Sequence, residues 1–163
     1  MKQIKLIIFF SIFSTLLYGQ TTLKKNGLFV EVGGNGLFTS LNYERQLTNK
    51  PGLGMQLGIG FYSIDPFRLT IPVGVNYLVK LNNNNSFFDL GFGATYSKAD
   101  VKLYIMVDNK DPNYVNTNYI NYIPSIGYRR QTIKNLMWRI SFTPIINHNG
   151  FIPFFGFAIG KLF

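Results

Sequence analysis

The chain has 163 residues, room for one domain, and joins 47% hydrophobic and 17% aromatic residues to only 14% charged ones. A water-soluble domain carries about a quarter charged residues and a disordered one few aromatics, so the composition fits neither class. The formal charge of +9 raises nucleic acid as a partner, but the basic residues are scattered singly or in pairs, with no stripe to follow a phosphate backbone, which sets it aside. With no cysteine, neither a disulfide framework nor a thiolate metal site can form.

The first twenty residues read as an address. Lys2 and Lys5 form a positive head, the run from Leu6 to Tyr18 is apolar apart from Ser11, Ser14 and Thr15, and Gly19-Gln20 brings small and polar character. That is the layout of a secretory signal peptide. The alternative, a membrane anchor, needs about 20 apolar residues, and this run is shorter. The expected division is therefore 1–20 as signal peptide and 21–163 as one exported domain, which without Lys2 and Lys5 holds 14 basic and 7 acidic residues.

From there the chain alternates with a period of two, broken by turn residues. Strands are predicted near 27–34, 36–47, 53–63, 67–80, 86–98, 118–131, 136–146 and 151–163. Gly33-Gly34-Asn35-Gly36, Thr48 to Gly52, Asp65-Pro66, the asparagines 82–85, Lys134-Asn135 and Asn147 to Gly150 separate them, supplying the backbone angles of tight turns. No helical period competes.

Each strand has one bulky apolar face and one small or polar face. Phe88, Leu90, Phe92, Ala94 and Tyr96 oppose Phe87, Asp89, Gly91, Gly93 and Thr95; Phe155, Phe157 and Ile159 oppose Gly156, Ala158 and Gly160. Periodicity alone does not say which face points inward. A soluble sandwich would enclose the large residues, whereas a lipid-embedded barrel encloses the glycines. The signal segment and low charge favour the second. The expectation is an all-β, antiparallel, up-and-down transmembrane barrel of about eight strands in a bacterial outer membrane.

An even strand count puts both termini on the periplasmic side and the longest connection, 99–117, outside. Tyr43, Tyr77, Phe88, Tyr128, Trp138 and Phe163 then form an aromatic girdle near the periplasmic end. Lys24, Lys25, Arg45, Lys50, Lys80, Arg130, Lys134 and Lys161 gather at that rim, either to reach lipid phosphates or simply as a solvated edge.

Glu31, Glu44 and Asp89 are expected to face the lumen with Arg68, Arg129 and Arg139. In a narrow interior these must pair or suffer desolvation, so a plug of salt bridges is favoured over a catalytic or conducting role. Pro72, Pro124, Pro144 and Pro153 fall inside predicted strands, where proline cannot donate to a ladder. Either these strands run above the hydrocarbon, or Pro124, Pro144 and Pro153 mark a lateral opening between strands six to eight that admits an apolar molecule. The long connection reads either as a solvated loop or as a protruding hairpin whose Tyr104, Tyr114 and Tyr119 would meet an extracellular protein by strand addition. His148, the one histidine, falls in a turn, and no nucleophile constellation, calcium-loop spacing or cofactor motif is visible.

In Val30 to Gly36, Ser40 to Arg45, Leu90 to Thr95, Ile126 to Arg129 and Arg139 to Pro144, the chain resembles the small outer-membrane barrel superfamily of the OmpA transmembrane domain and OmpX. It is particularly similar to barrel proteins common in Bacteroidetes. The resemblance spans most of the chain after the signal segment, and its motifs are architectural. It implies a Gram-negative outer membrane, outer-membrane lipids as surroundings, and handling by the barrel-assembly machinery, which reads a terminal aromatic such as Phe163; Lys161 departs from the apolar residue often found two places earlier. The lipid A deacylase pattern sets a serine two residues after the catalytic histidine, and Gly150 stands there instead. The expected function is a non-enzymatic barrel with a structural, adhesive or partner-binding role and no cofactor. Transport of a small hydrophobic ligand through a lateral opening comes second, and a lipid-modifying enzyme third.

Overall fold

The computed structural model describes residues 24–64, 67–81, 85–97, 120–147 and 150–163. Ten strand segments form one antiparallel sheet: β1 (Asn26–Gly33), β2 (Thr39–Gln46), β3 (Leu53–Ile64), β4 (Phe67–Leu81), β5 (Ser86–Ser97), β6 (Ile120–Gln131), β7 (Leu136–Phe142), β8 (Ile145–Asn147), β9 (Gly150–Ile152) and β10 (Phe155–Leu162). β7 with β8, and β9 with β10, are single staves interrupted at proline, so the barrel has eight staves. β1 pairs with both β2 and β10, and β5 with β6, so the sheet closes on itself, with β9 paired on one side only. The signal segment, the tyrosines of the long connection (Tyr104, Tyr114, Tyr119) and His148 lie outside the described residues.

The ladder also fixes the stagger. Asn26 pairs with Arg45, Arg45 with Met55, Met55 with Val75, Val75 with Phe92 and Phe92 with Pro124. The registers of the last two staves carry this row through Pro144 and Pro153 to the level of Gly36, ten residues beyond Asn26. Closure of eight staves with such a stagger tilts them by roughly 35–45° and leaves an interior that side chains fill.

Sequence alternation decides what fills it. On β1, Leu28, Val30 and Val32 are 44–55% exposed on the outer wall, while Phe29 and Glu31 are 1% exposed inside. On β2, Leu41, Tyr43 and Arg45 face out, and Ser40, Asn42, Glu44 and Gln46 face in. The inward positions of β3 are Gly54, Gln56, Gly58 and Gly60, against Met55, Leu57 and Ile59 outside. The wall is apolar and the lumen small or polar, an inverted distribution relative to a soluble barrel.

Two departures from the predicted strands follow from local chemistry. The second strand, expected from residue 36, begins at Thr39, because Gly34–Gly36 forms a 3-10 turn that folds into the lumen. Gly33 and Gly34 have φ of 73° and 64°, angles open to glycine, and Leu37 at φ 75° follows them inward. The last two predicted strands are each broken, at Thr143-Pro144 and at Pro153-Phe154. The Thr143 N–H donates to the Phe154 carbonyl at 2.8 Å. Successive N–H groups alternate in direction, so the donor Pro144 lacks would have pointed towards Pro124 on β6, and the one Pro153 lacks towards β1. The β1–β10 ladder has already ended at Gly33 and Gly156, so Pro153 costs no bond there.

The walls are therefore uneven. β1 and β2 have eight residues each, whereas β3 has 12 and β4 has 15. At the end away from the termini the wall is notched between β9 and the top of β3. Across Pro124, Pro144 and Pro153 the sheet continues instead, with Tyr122 paired to Ile146 and Ile145 to Ile152.

The paired glycines Gly74 and Gly93 receive Asn35 of the inturned segment. A Cβ on Gly93 would lie 2.6 Å from the Asn35 amide. Gly93→Ala is expected to cost about 1–3 kcal/mol, read from urea unfolding of the folded barrel; unchanged stability would show that the segment does not rest there.

Candidate functional site: the filled barrel interior

From the termini end, the lumen is layered. The floor is apolar: Phe29 on β1, Met137 on β7, and Ala158 and Leu162 on β10 form one buried cluster. Phe29, Met137 and Leu162 are inward positions towards the termini end of their strands, Ala158 lies above them on β10, and Leu78 and Phe87, both 1% exposed, lie at the termini end of β4 and β5.

Above the floor sit the charges. Glu31 (β1), Glu44 (β2), Asp89 (β5), Arg129 (β6) and Arg139 (β7) are all at most 5% exposed. Arg129 and Arg139 are direct ladder partners, and adjacent like charges would repel without intervening acids. Arg129 Nη1 donates to both Glu44 carboxylate oxygens, at 2.6 and 2.9 Å. Arg139 Nη2 donates to Glu31 Oε1 at 2.7 Å. Asp89 Oδ2 lies 3.7 Å from Arg129 and 3.4 Å from Arg139, bridging the two. Ala158, level with both Glu31 and Arg139 on the strand between them, is small enough to let the guanidinium pass. Phe29 stacks beneath Arg139, with the guanidinium 5.2 Å from the ring centre.

Amides extend the network. Gln46 Nε2 donates to Glu44 Oε1 at 2.8 Å and Asn76 Nδ2 to Asp89 Oδ1 at 3.4 Å. The next layer is the inturned 3-10 segment. Thr95 Oγ1 donates to the Asn35 carbonyl, and Thr70 Oγ1 to that of Gly36 at 3.0 Å, so β4 and β5 hold its backbone.

The last layer is apolar again. Leu37, Ile123 and Ile145, each at most 2% exposed, pack with Tyr62, Ile152 and Phe154 beneath the notch. Tyr62 sits where the β3–β4 register slips between Phe61 and Ser63.

Five of the six charged residues expected in the lumen thus converge. Arg68 does not: it lies beyond the register slip on β4, half-buried, and takes no part in the four lumen ion pairs. Pro124 is half-buried, Pro144 buried and Pro153 exposed, in one row across three staves. Sequence reasoning missed Asn35 and Leu37, because Gly33-Gly34-Asn35-Gly36 signals a turn without saying that it folds inward. Their available signal was an apolar residue directly after a glycine-rich turn.

Chemically, the acids are occupied by guanidinium and amide donors, and among the described residues no group of three or more His, Asp or Glu side chains could hold a metal ion. The arrangement seals and rigidifies a low-dielectric interior.

Arg129→Met would leave Glu44 buried without its cation and is expected to cost about 3–5 kcal/mol. Asp89→Asn, which alters only the longer contacts, is expected to cost less than about 1.5 kcal/mol. Urea titrations of both variants test this ordering, and the reverse order would place the anchor at Asp89. No family model and no curated protein matches the sequence, so the functional reading rests on this geometry.

Proposed function

We propose that the protein is an outer-membrane β-barrel with a plugged interior, reached by way of its signal segment, that serves a structural, adhesive or partner-binding role rather than a catalytic one. The observation that carries this reading is the outer wall. Leu57, Ile59, Met55, Val73, Val75, Phe92, Phe157, Ile159 and their neighbours are 44–61% exposed around a closed sheet whose interior holds five charges. A soluble monomer exposes apolar patches of at most about 300–600 Å². An apolar wall around a sheet closed on itself suits acyl chains.

Tyr43, Tyr77, Phe88, Tyr128, Trp138 and Phe163 all occupy outward or rim positions near the termini end, with Tyr128 and Trp138 in ring contact at 5.4 Å. Basic residues line the same rim, with Lys24, Lys25, Arg45, Arg130, Lys134 and Lys161 exposed. Both features support the periplasmic placement of that end. The interior supports a plugged, non-conducting role, because its two arginines and three acids form one network between two apolar layers. The long connection between β5 and β6 is the reading's contact point for an extracellular partner.

A second reading, passage of a small apolar ligand, is favoured by the notch. There the lipid-facing Phe38 and Phe155 adjoin the buried Leu37 layer, and Leu37 itself is held at an unfavourable positive φ.

The protein should fold from urea only into detergent or lipid, give a β-type circular dichroism spectrum, and migrate differently on gels before and after boiling. A monodisperse soluble monomer in plain buffer would sink the membrane reading. For the second reading, an Asn35→Cys/Gly93→Cys disulfide should pin the inturned segment. Vesicle uptake of an apolar dye should then stop under oxidation and resume on reduction; absence of uptake by the unmodified protein leaves only the plugged barrel.

A further inference from the structure

The strongest feature that the plugged-barrel reading leaves unexplained is a cationic groove on the outer wall at the termini end. It is open, about 890 Å³ in volume, and lined by Arg130 of β6, Ile133 and Lys134 of the β6–β7 turn, Leu136 of β7 and Lys161 of β10. The ladder defines its shape. Arg130 is the partner of Trp138, and Lys161 the partner of Leu136, so the two cations flank β7 from its two neighbouring strands. Two interstrand spacings put those strands about 10 Å apart. Lys134 closes the groove from the turn, and Ile133 beside it is 95% exposed.

The side-chain charge here is of one sign. The three connections at this end, 47–52, 82–85 and 132–135, contain no Asp or Glu. The acids among the described residues, Glu31, Glu44 and Asp89, are all sealed in the lumen, so none of them reaches Arg130, Lys134 or Lys161. Leu136 lies between the cations, and the wall continues apolar at Ile159 and Ile140, the three being 42–53% exposed. The Tyr128–Trp138 pair stands at the boundary between the charged and apolar parts. A ligand matching this surface is amphipathic: an anionic head between two cations, and a hydrocarbon tail along β7.

We propose that this groove is a binding site for an anionic phospholipid of the adjoining leaflet. The phosphate sits between Arg130 and Lys161, Lys134 caps it from the turn, and an acyl chain lies along Leu136 and Ile140. The site rests on the membrane-barrel reading, and its chemistry excludes a purely soluble occupant such as inorganic phosphate, which would leave Leu136, Ile140 and Ile133 uncovered. Charge separates it from general solvation of the wall: a zwitterionic lipid brings its own ammonium into a groove that already holds three cations.

Trp138 is the chain's one tryptophan and lies beside the groove, so it reports on the site directly. The full chain after the signal segment is folded into phosphatidylcholine bilayers containing either brominated phosphatidylglycerol or brominated phosphatidylcholine, and Trp138 quenching is compared. The expected result is a preference for phosphatidylglycerol of about three- to tenfold, abolished in Arg130→Gln/Lys161→Gln and retained in the charge-preserving Arg130→Lys/Lys161→Arg. Equal quenching by the two lipids, or a preference that survives the glutamine pair, overturns the site while leaving the barrel in the membrane. Quenching by neither lipid in the unmodified protein overturns the membrane reading and the site together. Should the glutamine pair fail to fold, Lys134→Gln carries the test: it must weaken the preference, and an unchanged preference overturns the site. Loss of the preference on adding inorganic phosphate, at constant ionic strength, would also overturn it in favour of a free anion.

Discussion

Arg129 and Arg139 stand next to each other on adjacent staves, and the barrel can close around them only because three carboxylates reach the same layer. An eight-stave ring with a ten-residue stagger leaves no room for water to solvate them freely. Each guanidinium therefore takes its own short carboxylate contact, to Glu44 or Glu31, with Asp89 shared between. These acids come from β1, β2 and β5, so the network ties together both sides of the seam where the chain begins and ends. Such pairs contribute modest net stability when intact but leave a large penalty when broken, which makes them devices of register more than of strength. A one-residue slip of any of the five strands would turn its charge onto the wall.

The inturned Gly34–Gly36 segment follows from the same shortage of space and from the uneven wall. Because β1 stops at Gly33, the chain must return to β2 either over the top of the barrel or through it. The lumen at that height offers a dent at Gly74 and Gly93, two hydroxyls on Thr70 and Thr95, and apolar partners in Ile123 and Ile145. Asn35 and Leu37 fill these in turn, so a turn sequence becomes a plug. The prolines belong to this arrangement. Pro153 lies on the notch edge, where a missing N–H removes one site at which another chain could add as a strand. Pro124 and Pro144 face each other, so the two missing donors coincide at one interruption of the ladder.

Most of the architecture was legible because a period of two carries both the strand positions and their faces. Parity put Glu31, Glu44, Asp89, Arg129 and Arg139 on the face that carries most of the glycines and polar residues, and the low charge and signal segment chose that face as the lumen. Parity gives the face of a residue but not its height. Arg68 shares its strand face with Thr70 and Asn76, but it stands at the opposite end of β4 from Leu78, the ladder partner of Asp89, and so lies far from the charged layer. For Leu37, alternation places it on a strand, whereas glycine freedom at Gly33 and Gly34 redirects it. The prolines could be seen as strand interruptions, but not that the ladder resumes beyond Pro124 and Pro144 while Pro153 borders the notch, because the last point depends on where β1 ends.

Strand length then bears on how the proposed bilayer meets the notch. A tilted strand needs about 9–11 residues to cross the hydrocarbon, and β1 and β2 have eight each. On that side the backbone ends short of the apolar band that β3 to β6 cover. The shortfall coincides with phenylalanines. Phe38 packs on Phe61 at 5.5 Å and Phe155 on Phe142 at 5.3 Å, while Phe38, Phe151 and Phe155 are 52–68% exposed. Large rings at the margins of a low wall extend its apolar surface where the ladder cannot, without adding unpaired peptide groups to the hydrocarbon. In the proposed bilayer the notch would thus be a place where side chains replace backbone in facing lipid, which would reconcile short strands with a bilayer of ordinary thickness.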